Sequence, residues 1–127
     1  MTLDRGVRVA GVVVFTALAA VSAVWEAYLT PLYWHHTRVP LALVAAVVGN
    51  AALARATFDV TGRAAVVLLP ALAWLVPMFA AAGRTHEGDL VLTSDNWVGL
   101  ATMFAGSLAF GATAYWLIVR SIRRPVP

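Results

Sequence analysis

The sequence predicts an all-α protein, a bundle of four transmembrane helices that run up and down. The chain is 61% hydrophobic and 12% charged, whereas a soluble domain is about 45–50% apolar and about 25% charged. The charges lie between four apolar runs. Each run is close to the roughly 20 residues that a helix needs to cross a bilayer. The 127 residues suffice for one domain.

Composition also excludes several classes of function. The chain has no cysteine, which excludes disulfides, thiolate metal sites and a cysteine nucleophile. The net charge is +3, but the arginines lie between apolar runs and not along one polar face, so we expect no nucleic-acid partner. No phosphate-binding loop, dinucleotide fingerprint or zinc-protease motif occurs. We therefore expect neither catalysis nor a cofactor.

The first predicted span covers residues 7–29 and contains one acid, Glu26, near its far end. Seventeen uncharged residues separate Arg8 from Glu26, so a helix that enters near Val7 reaches the opposite interface near Glu26. A signal peptide is the alternative, because a basic start precedes an apolar core and small residues. The length of the run and the aromatic residues after it favour a membrane span. Pro31 is expected to end this helix.

The second and third spans are predicted at residues 40–58 and 64–83. Pro40 opens the second span, where its missing N–H costs nothing. A tight polar turn at 59–63 then uses Gly62. Pro70 and Pro77 lie seven residues apart on nearly one face of the third span, so we expect that helix to bend.

The fourth span is predicted at 97–119, with Asp95 or Asn96 as its N-cap. Small residues recur every four positions on the first and fourth spans. These ladders are Ala19, Ala23 and Ala27; Ala101, Ala105 and Ala109; and Ser107 with Gly111. Small residues let helix backbones approach closely in lipid. Packing within the chain is the favoured interpretation, and a homodimer face is the alternative.

Arginine distribution predicts the orientation of the four spans. The side of the termini would hold seven arginines, namely Arg5, Arg8, Arg55, Arg63, Arg120, Arg123 and Arg124. The other side would hold Arg38 and Arg84. Because short cytoplasmic loops are enriched in Lys and Arg, both termini are expected in the cytoplasm, in a multi-pass protein of the plasma membrane.

Glu26 is the first candidate functional residue, since an acid within a membrane helix indicates a functional site by default. Its predicted depth favours an interfacial acid, or a structural ion pair with Arg38 or Arg84. A ligand or proton site is the alternative.

Asn50 is the second candidate. It lies ten residues after Pro40, roughly 15 Å deep and near the midplane. A buried amide needs hydrogen-bond partners, which Thr102, Ser107 or a carbonyl freed by a proline could supply. An interhelical hydrogen bond is favoured, and contact with an ion or substrate is the alternative.

Other polar and aromatic residues give weaker signals. Imidazoles and carboxylates on the predicted outer side could form a weak metal site, although their spacing matches no ligand motif and solvated loops are favoured. They are His35, His36, His86, Glu87 and Asp89. Arg55 is expected to extend to the interface, and Trp74 to pack in the middle of its span. Trp34, Trp97, Tyr115 and Trp116 are expected to anchor at the interfaces.

Three stretches resemble an uncharacterised family of small actinobacterial integral membrane proteins, which carry a domain of unknown function. They are VPLALVAAVVGNAAL (39–53), VTGR (60–63) and GRTHEGDLVLTSDNWVGLATMFAGSLAFGATAY (83–115). The resemblance covers most of the chain. It implies a four-helix membrane fold and no particular activity.

The chain is also similar in outline to the small multidrug resistance family, whose members have four short helices, work as dimers and use one membrane glutamate for proton and cation exchange. Glu26 and Trp74 are the matching residues. Glu26 comes later in its helix than the family pattern requires, and the surrounding motifs are missing.

Two functional hypotheses remain at this point. The first is a non-enzymatic accessory or scaffold subunit that acts through helix contacts with a membrane-protein partner or a second copy of the chain. The second is a small oligomeric transporter or channel lined by Glu26 and Asn50. A polar path requires Glu26, Asn50 and hydroxyls such as Thr102 on facing helix surfaces. An accessory protein requires a face of small residues that is turned outward.

Overall fold

The computed structural model describes residues 4–83 and 96–124, and it confirms the all-α four-helix bundle. All four spans are long and apolar enough to cross a membrane. The helices are α1 (Arg5–Leu29), α2 (Leu41–Thr61), α3 (Leu68–Ala82, preceded by a 3₁₀ turn at Ala64–Val67) and α4 (Trp97–Arg123). Two short antiparallel strands, β1 (Tyr33–Trp34) and β2 (Thr37–Arg38), join α1 to α2. We call this side of the bundle the hairpin end and the opposite side the terminal end.

The four helices form two closely packed pairs, α1 with α3 and α2 with α4. The pairs are joined along α1 and α2, which also pack closely. Contact between α3 and α4 is much sparser. We call the close contact between α1 and α2 the joint, and the sparser contact between α3 and α4 the seam.

Two alanine ladders are buried inside the bundle. The predicted ladder of Ala19, Ala23 and Ala27 is confirmed as a buried face of α1. A second ladder on α2, which the sequence analysis did not single out, is equally buried at Ala42, Ala46 and Ala54. Helices with small side chains at every fourth position can approach closely and gain dispersion contacts without a hydrophobic driving force. The ladder on α1 is thus used within the chain.

The buried face of α4 differs from the predicted one. Thr102, Gly106 and Phe110 are buried, whereas Ala101, Ala105 and Ala109 are only partly buried. Small residues occur on several sides of this helix, so their spacing alone could not select the face. The selection comes from Gly106, which leaves room for the indole of Trp74.

The helix ends follow local chemistry. Gly62 has φ +68° and ends α2 as a left-handed cap. The predicted polar turn at 59–63 is shorter than expected, because α2 continues to Thr61, and Arg55 pairs with Asp59 one turn later on the same helix. Pro70 lies in the first turn of α3, where its missing N–H removes no helical hydrogen bond. Pro77 is therefore the proline inside this helix.

We predict that Gly106→Ala destabilises the bundle by about 1–3 kcal/mol, the usual cost of overpacking a core. A Cβ at this position would overlap the ring of Trp74 and lie 3.0 Å from Asn50 Nδ2. Gly111→Ala is the matched control on the same helix, because nothing lies within 4 Å of its Cβ position. Unfolding in detergent measures both variants. Equal stability of the two would contradict this packing.

Candidate functional site in the bundle core

A hydrogen bond between α1 and α3 lies at the centre of the site. The indole Nε1–H of Trp74 donates to Glu26 Oε2 at 2.6 Å. Glu26 is 4% exposed and Trp74 is fully buried. Because a buried charge or polar group needs hydrogen-bond partners, this bond explains how an acid fits inside the apolar bundle.

Glu26 is buried in the bundle and does not pair with Arg38 as predicted, while its depth at the membrane interface stays a prediction. Residue counting is right about the position along the helix, since α1 ends three residues later at Leu29. The carboxylate is nevertheless buried, and its partner is the neutral indole of Trp74 rather than Arg38. The Arg38 guanidinium instead lies over the ring of Tyr33, 4.7 Å from its centroid. The predicted pairing with Arg84 lies outside the described residues.

A second interhelical hydrogen bond joins α2 to α4. Asn50 is fully buried, and its Nδ2 donates to the backbone oxygen of Gly106 at 3.1 Å. The predicted interhelical bond is thus confirmed, but the partner differs from those expected. The Ser107 hydroxyl donates to Met103 within its own helix.

Trp74 connects the two hydrogen-bonded pairs. Its ring lies against Gly106, the residue whose carbonyl accepts from Asn50. It also contacts the ring of Phe110, with centroids 6.3 Å apart. Trp74 of α3 therefore donates a hydrogen bond to Glu26 of α1 and packs on Gly106 of α4, next to the side-chain amide of Asn50 on α2. We call Glu26, Asn50, Trp74, Thr102 and Gly106 the central polar layer.

This layer retains unused hydrogen-bonding capacity. Within the described part of the chain, Asn50 Oδ1 and Thr102 Oγ1 are buried without a hydrogen-bond partner. Thr102 lies one turn before Gly106 on the same face of α4. Buried polar atoms that lack partners cost free energy and call for an explanation. A carboxylate, an amide oxygen and a hydroxyl could together hold a proton, a water molecule or a small cation.

A closed polar contact lies one turn beyond Glu26, at the hairpin end. Asn96 Nδ2 donates to Thr30 Oγ1 at 2.9 Å, and the Thr30 hydroxyl donates to Ala27 O. Asn96 Oδ1 also accepts from the Gly99 backbone N–H, which confirms Asn96 as the cap of α4. Thr30 and Asn96 are both buried. This contact joins the end of α1 to the start of α4 on the hairpin side of Glu26.

The other predicted site residues do not join this layer. His35 and His36 form the two-residue loop between β1 and β2, where both have positive φ. His86, Glu87 and Asp89 lie outside the described residues, so the predicted metal site is not tested there. Across residues 4–83 and 96–124, no three His, Cys, Asp or Glu side chains meet in a way that could hold a metal ion. Arg55 lies at the terminal end, paired with Asp59 and near the ring of Trp116.

No family model matches the chain, and neither a curated protein nor a solved structure matches it. The resemblance to the actinobacterial family stays a prediction. The function of the central polar layer must therefore be inferred from its own geometry.

We predict that Trp74 and Glu26 are energetically coupled. A double-mutant cycle of Trp74→Phe, Glu26→Leu and the double variant should give a coupling of about 1–3 kcal/mol, because each single change leaves a buried polar group without its partner. Unfolding in detergent supplies the free energies. Glu26→Gln should keep the fold, since its amide oxygen can still accept from the indole. Trp25→Phe is the control, because Trp25 is 67% exposed on the same helix as Glu26. A coupling near zero would contradict the bond.

We also predict that Asn50→Leu destabilises the bundle by about 1 kcal/mol, as is typical of interhelical hydrogen bonds in membranes. The substitution removes the donor to Gly106 and keeps a side chain of similar volume. Unfolding in detergent is again the measurement, with Val48→Leu on the lipid-facing side of α2 as control. Unchanged stability of Asn50→Leu would show that the bond contributes nothing.

Proposed function

We propose that the chain is a small proton-linked transporter in which Glu26 alternately holds a proton and a small cation. The observation that supports this most is that all four helices meet at the indole of Trp74, which bonds to Glu26 and packs on Gly106, the residue whose carbonyl accepts from Asn50. The sequence analysis required such facing surfaces for a polar path. Acids inside membrane helices commonly mark ion pathways and proton relays.

The two carboxylate oxygens of Glu26 have different surroundings. Oε2 accepts the hydrogen bond from Trp74, which fixes the side chain. Oε1 points toward Gly49 of α2, about 4.0 Å from where a Cβ would stand. Oε1 is thus the oxygen available to a proton or a cation. The partnerless oxygens of Asn50 and Thr102 offer further ligands of the kind that hard cations prefer.

Transport requires the layer to open, because Glu26, Asn50 and Thr102 are all buried. The packing suggests where this happens. The pairs α1–α3 and α2–α4 are joined closely between α1 and α2 and sparsely between α3 and α4. A rocking of the pairs about the α1–α2 joint would part the looser seam and free the Trp74 ring from Gly106. At the hairpin end, the Thr30–Asn96 contact would also have to break.

We further propose that the hairpin end faces outward and the terminal end faces the cytoplasm. Arg5, Arg8 and Arg63 line one cleft at the terminal end, while Arg55, Arg120 and Arg124 line another. This concentration of arginine favours the cytoplasmic side. The Thr30–Asn96 contact would then close the site to the outside.

We predict that the purified protein moves protons across liposomes and that Glu26→Gln abolishes this movement, because the amide cannot take up and release a proton. A pH-sensitive dye inside the vesicles, under an imposed cation gradient, measures the flux. Asp59→Asn is the matched control, since it makes the same chemical change at an exposed acid far from the layer. Equal flux in wild type and Glu26→Gln would contradict the proposed role of Glu26.

A second candidate function, an accessory subunit, is favoured by the seam between α3 and α4. A groove of about 200 Å³ lies there, lined by Val67, Leu68 and Phe110 together with small side chains. The small residues include Ala64, Ala71, Ser107, Gly111 and Ala114. Such a groove could receive one transmembrane helix of a partner protein. If wild-type protein moves no protons, the accessory function is favoured. Cross-linking in native membranes from a cysteine at Gly111 would then identify the partner, since the chain has no other cysteine.

A further inference from the structure

Three arginines meet at a cleft of about 640 Å³ at the terminal end of the bundle. Arg5 and Arg8 lie on the first two turns of α1, and Arg63 follows the cap of α2. Thr61 also lines the cleft. We call this region the arginine cleft. It is separate from the central polar layer.

Local structure fixes the positions of these residues. The left-handed Gly62 turns the chain sharply after α2, and the Arg63 N–H donates to Thr61 Oγ1 at 3.3 Å. Gly11 lets α1 approach the end of α2, because a Cβ there would lie only 3.0 Å from Val60. These two glycines bring Arg63 beside the first turns of α1.

The described residues that line this cleft include no carboxylate that could compensate its arginines. Among the described residues, Arg8 Nε is buried and has no hydrogen-bond partner. The neighbouring Asp4 turns its carboxylate toward Gly6, at 3.3 Å from that residue's Cβ position. At the same end of the bundle, Arg55 has Asp59 as a partner. The arginine cleft therefore favours an anion with several acceptor oxygens.

The remaining walls of the cleft are apolar and point to a lipid. Val9, Val12 and Val13 continue along α1 from Arg8, and Val66 faces them from the 3₁₀ turn. From Arg8 to Val13 the helix rises by roughly 7 Å into the span. A ligand that fills the cleft would thus place its phosphate on arginines and an acyl chain on valines. A free phosphate ion would contact the arginines and leave the valines without a ligand.

We propose that the arginine cleft binds an anionic phospholipid, with Arg5, Arg8 and Arg63 around the phosphate and the valines along an acyl chain. The guanidinium fork matches phosphate oxygens in pairs, which a single ammonium does not. The lipid belongs to the leaflet at the terminal end. The site holds one lipid between α1 and the turn after α2.

The test compares the binding of phosphatidylglycerol and phosphatidylcholine with the same acyl chains to delipidated protein in detergent, by native mass spectrometry. Wild type should prefer phosphatidylglycerol. Arg8→Gln/Arg63→Gln should weaken its binding by about tenfold or more, from the usual contribution of each arginine near an anionic headgroup. Arg120→Gln/Arg123→Gln removes the same charge from the same end outside the cleft and should retain the preference. Equal loss in both double variants would overturn the site in favour of general attraction.

Two further variants complete the test. One distinguishes a bound lipid from a free phosphate ion, and the other is used if the glutamine variant does not fold. Val12→Phe keeps every charge and narrows the apolar part, so it should weaken phosphatidylglycerol binding. Unchanged binding in Val12→Phe, together with displacement of the lipid by inorganic phosphate, would overturn the lipid assignment. If the glutamine variant does not fold, Arg8→Lys/Arg63→Lys replaces it. That variant should lose part of the preference although its charge is unchanged, and full retention would contradict binding by the guanidinium forks.

Discussion

The hydrogen bond from Trp74 to Glu26 is the interaction on which the bundle core depends. A carboxylate inside an apolar bundle is stable only where a donor reaches it. The indole supplies the donor on a large apolar ring, so one side chain satisfies the acid and fills the space between the helix pairs. The size of that ring explains why α4 has glycine at position 106. The close approach there also leaves the carbonyl of Gly106 within reach of Asn50.

The other helix contacts reflect the apolar surroundings of helices in a bilayer, where no water lies between them. Lipid gives no hydrophobic force between helices, so contact area and hydrogen bonds must hold the bundle together. The hydrogen bonds of Trp74 and Asn50 each act within one helix pair, whereas the Asn96–Thr30 bond links the end of α1 to the start of α4. Among the described residues, no side-chain hydrogen bond crosses the α3–α4 seam, where the ring of Trp74 packs on Gly106 and the contact is otherwise sparse. The bundle thus combines close packing between α1 and α2 with a sparser α3–α4 contact, which requires less free energy to separate.

Sequence patterns predicted the four spans, a cap at Asp95 or Asn96, the turn at Gly62 and the burial of Asn50, because each depends on local composition or on counting along one helix. The surroundings of Glu26 were predicted wrongly for a physical reason. Counting measures distance to the end of the helix, whereas burial depends on the neighbouring helices that pack around the side chain. The donor role of Trp74 was missed as well, since a tryptophan within an apolar run suggests packing alone. A usable signal existed: an indole N–H and a carboxylate, both inside spans, each needed a partner.

The two proposed sites lie on different parts of this architecture, and their positions bear on each other. The arginine cleft lies where α1 meets the end of α2, which is the firm joint between the helix pairs. A lipid bound there would bridge the two helices that stay together and leave the α3–α4 seam free. The central polar layer lies between the pairs, where the proposed rocking would alter the contact of Trp74 with Gly106. A ligand shifts a conformational equilibrium only if its affinity differs between the two states. A lipid at the joint would therefore act on transport only if the rocking of the helix pairs changes the shape of the arginine cleft. The close packing of Gly11 against Val60 opposes such a change. The lipid is therefore expected to stabilise the joint in both states of the bundle.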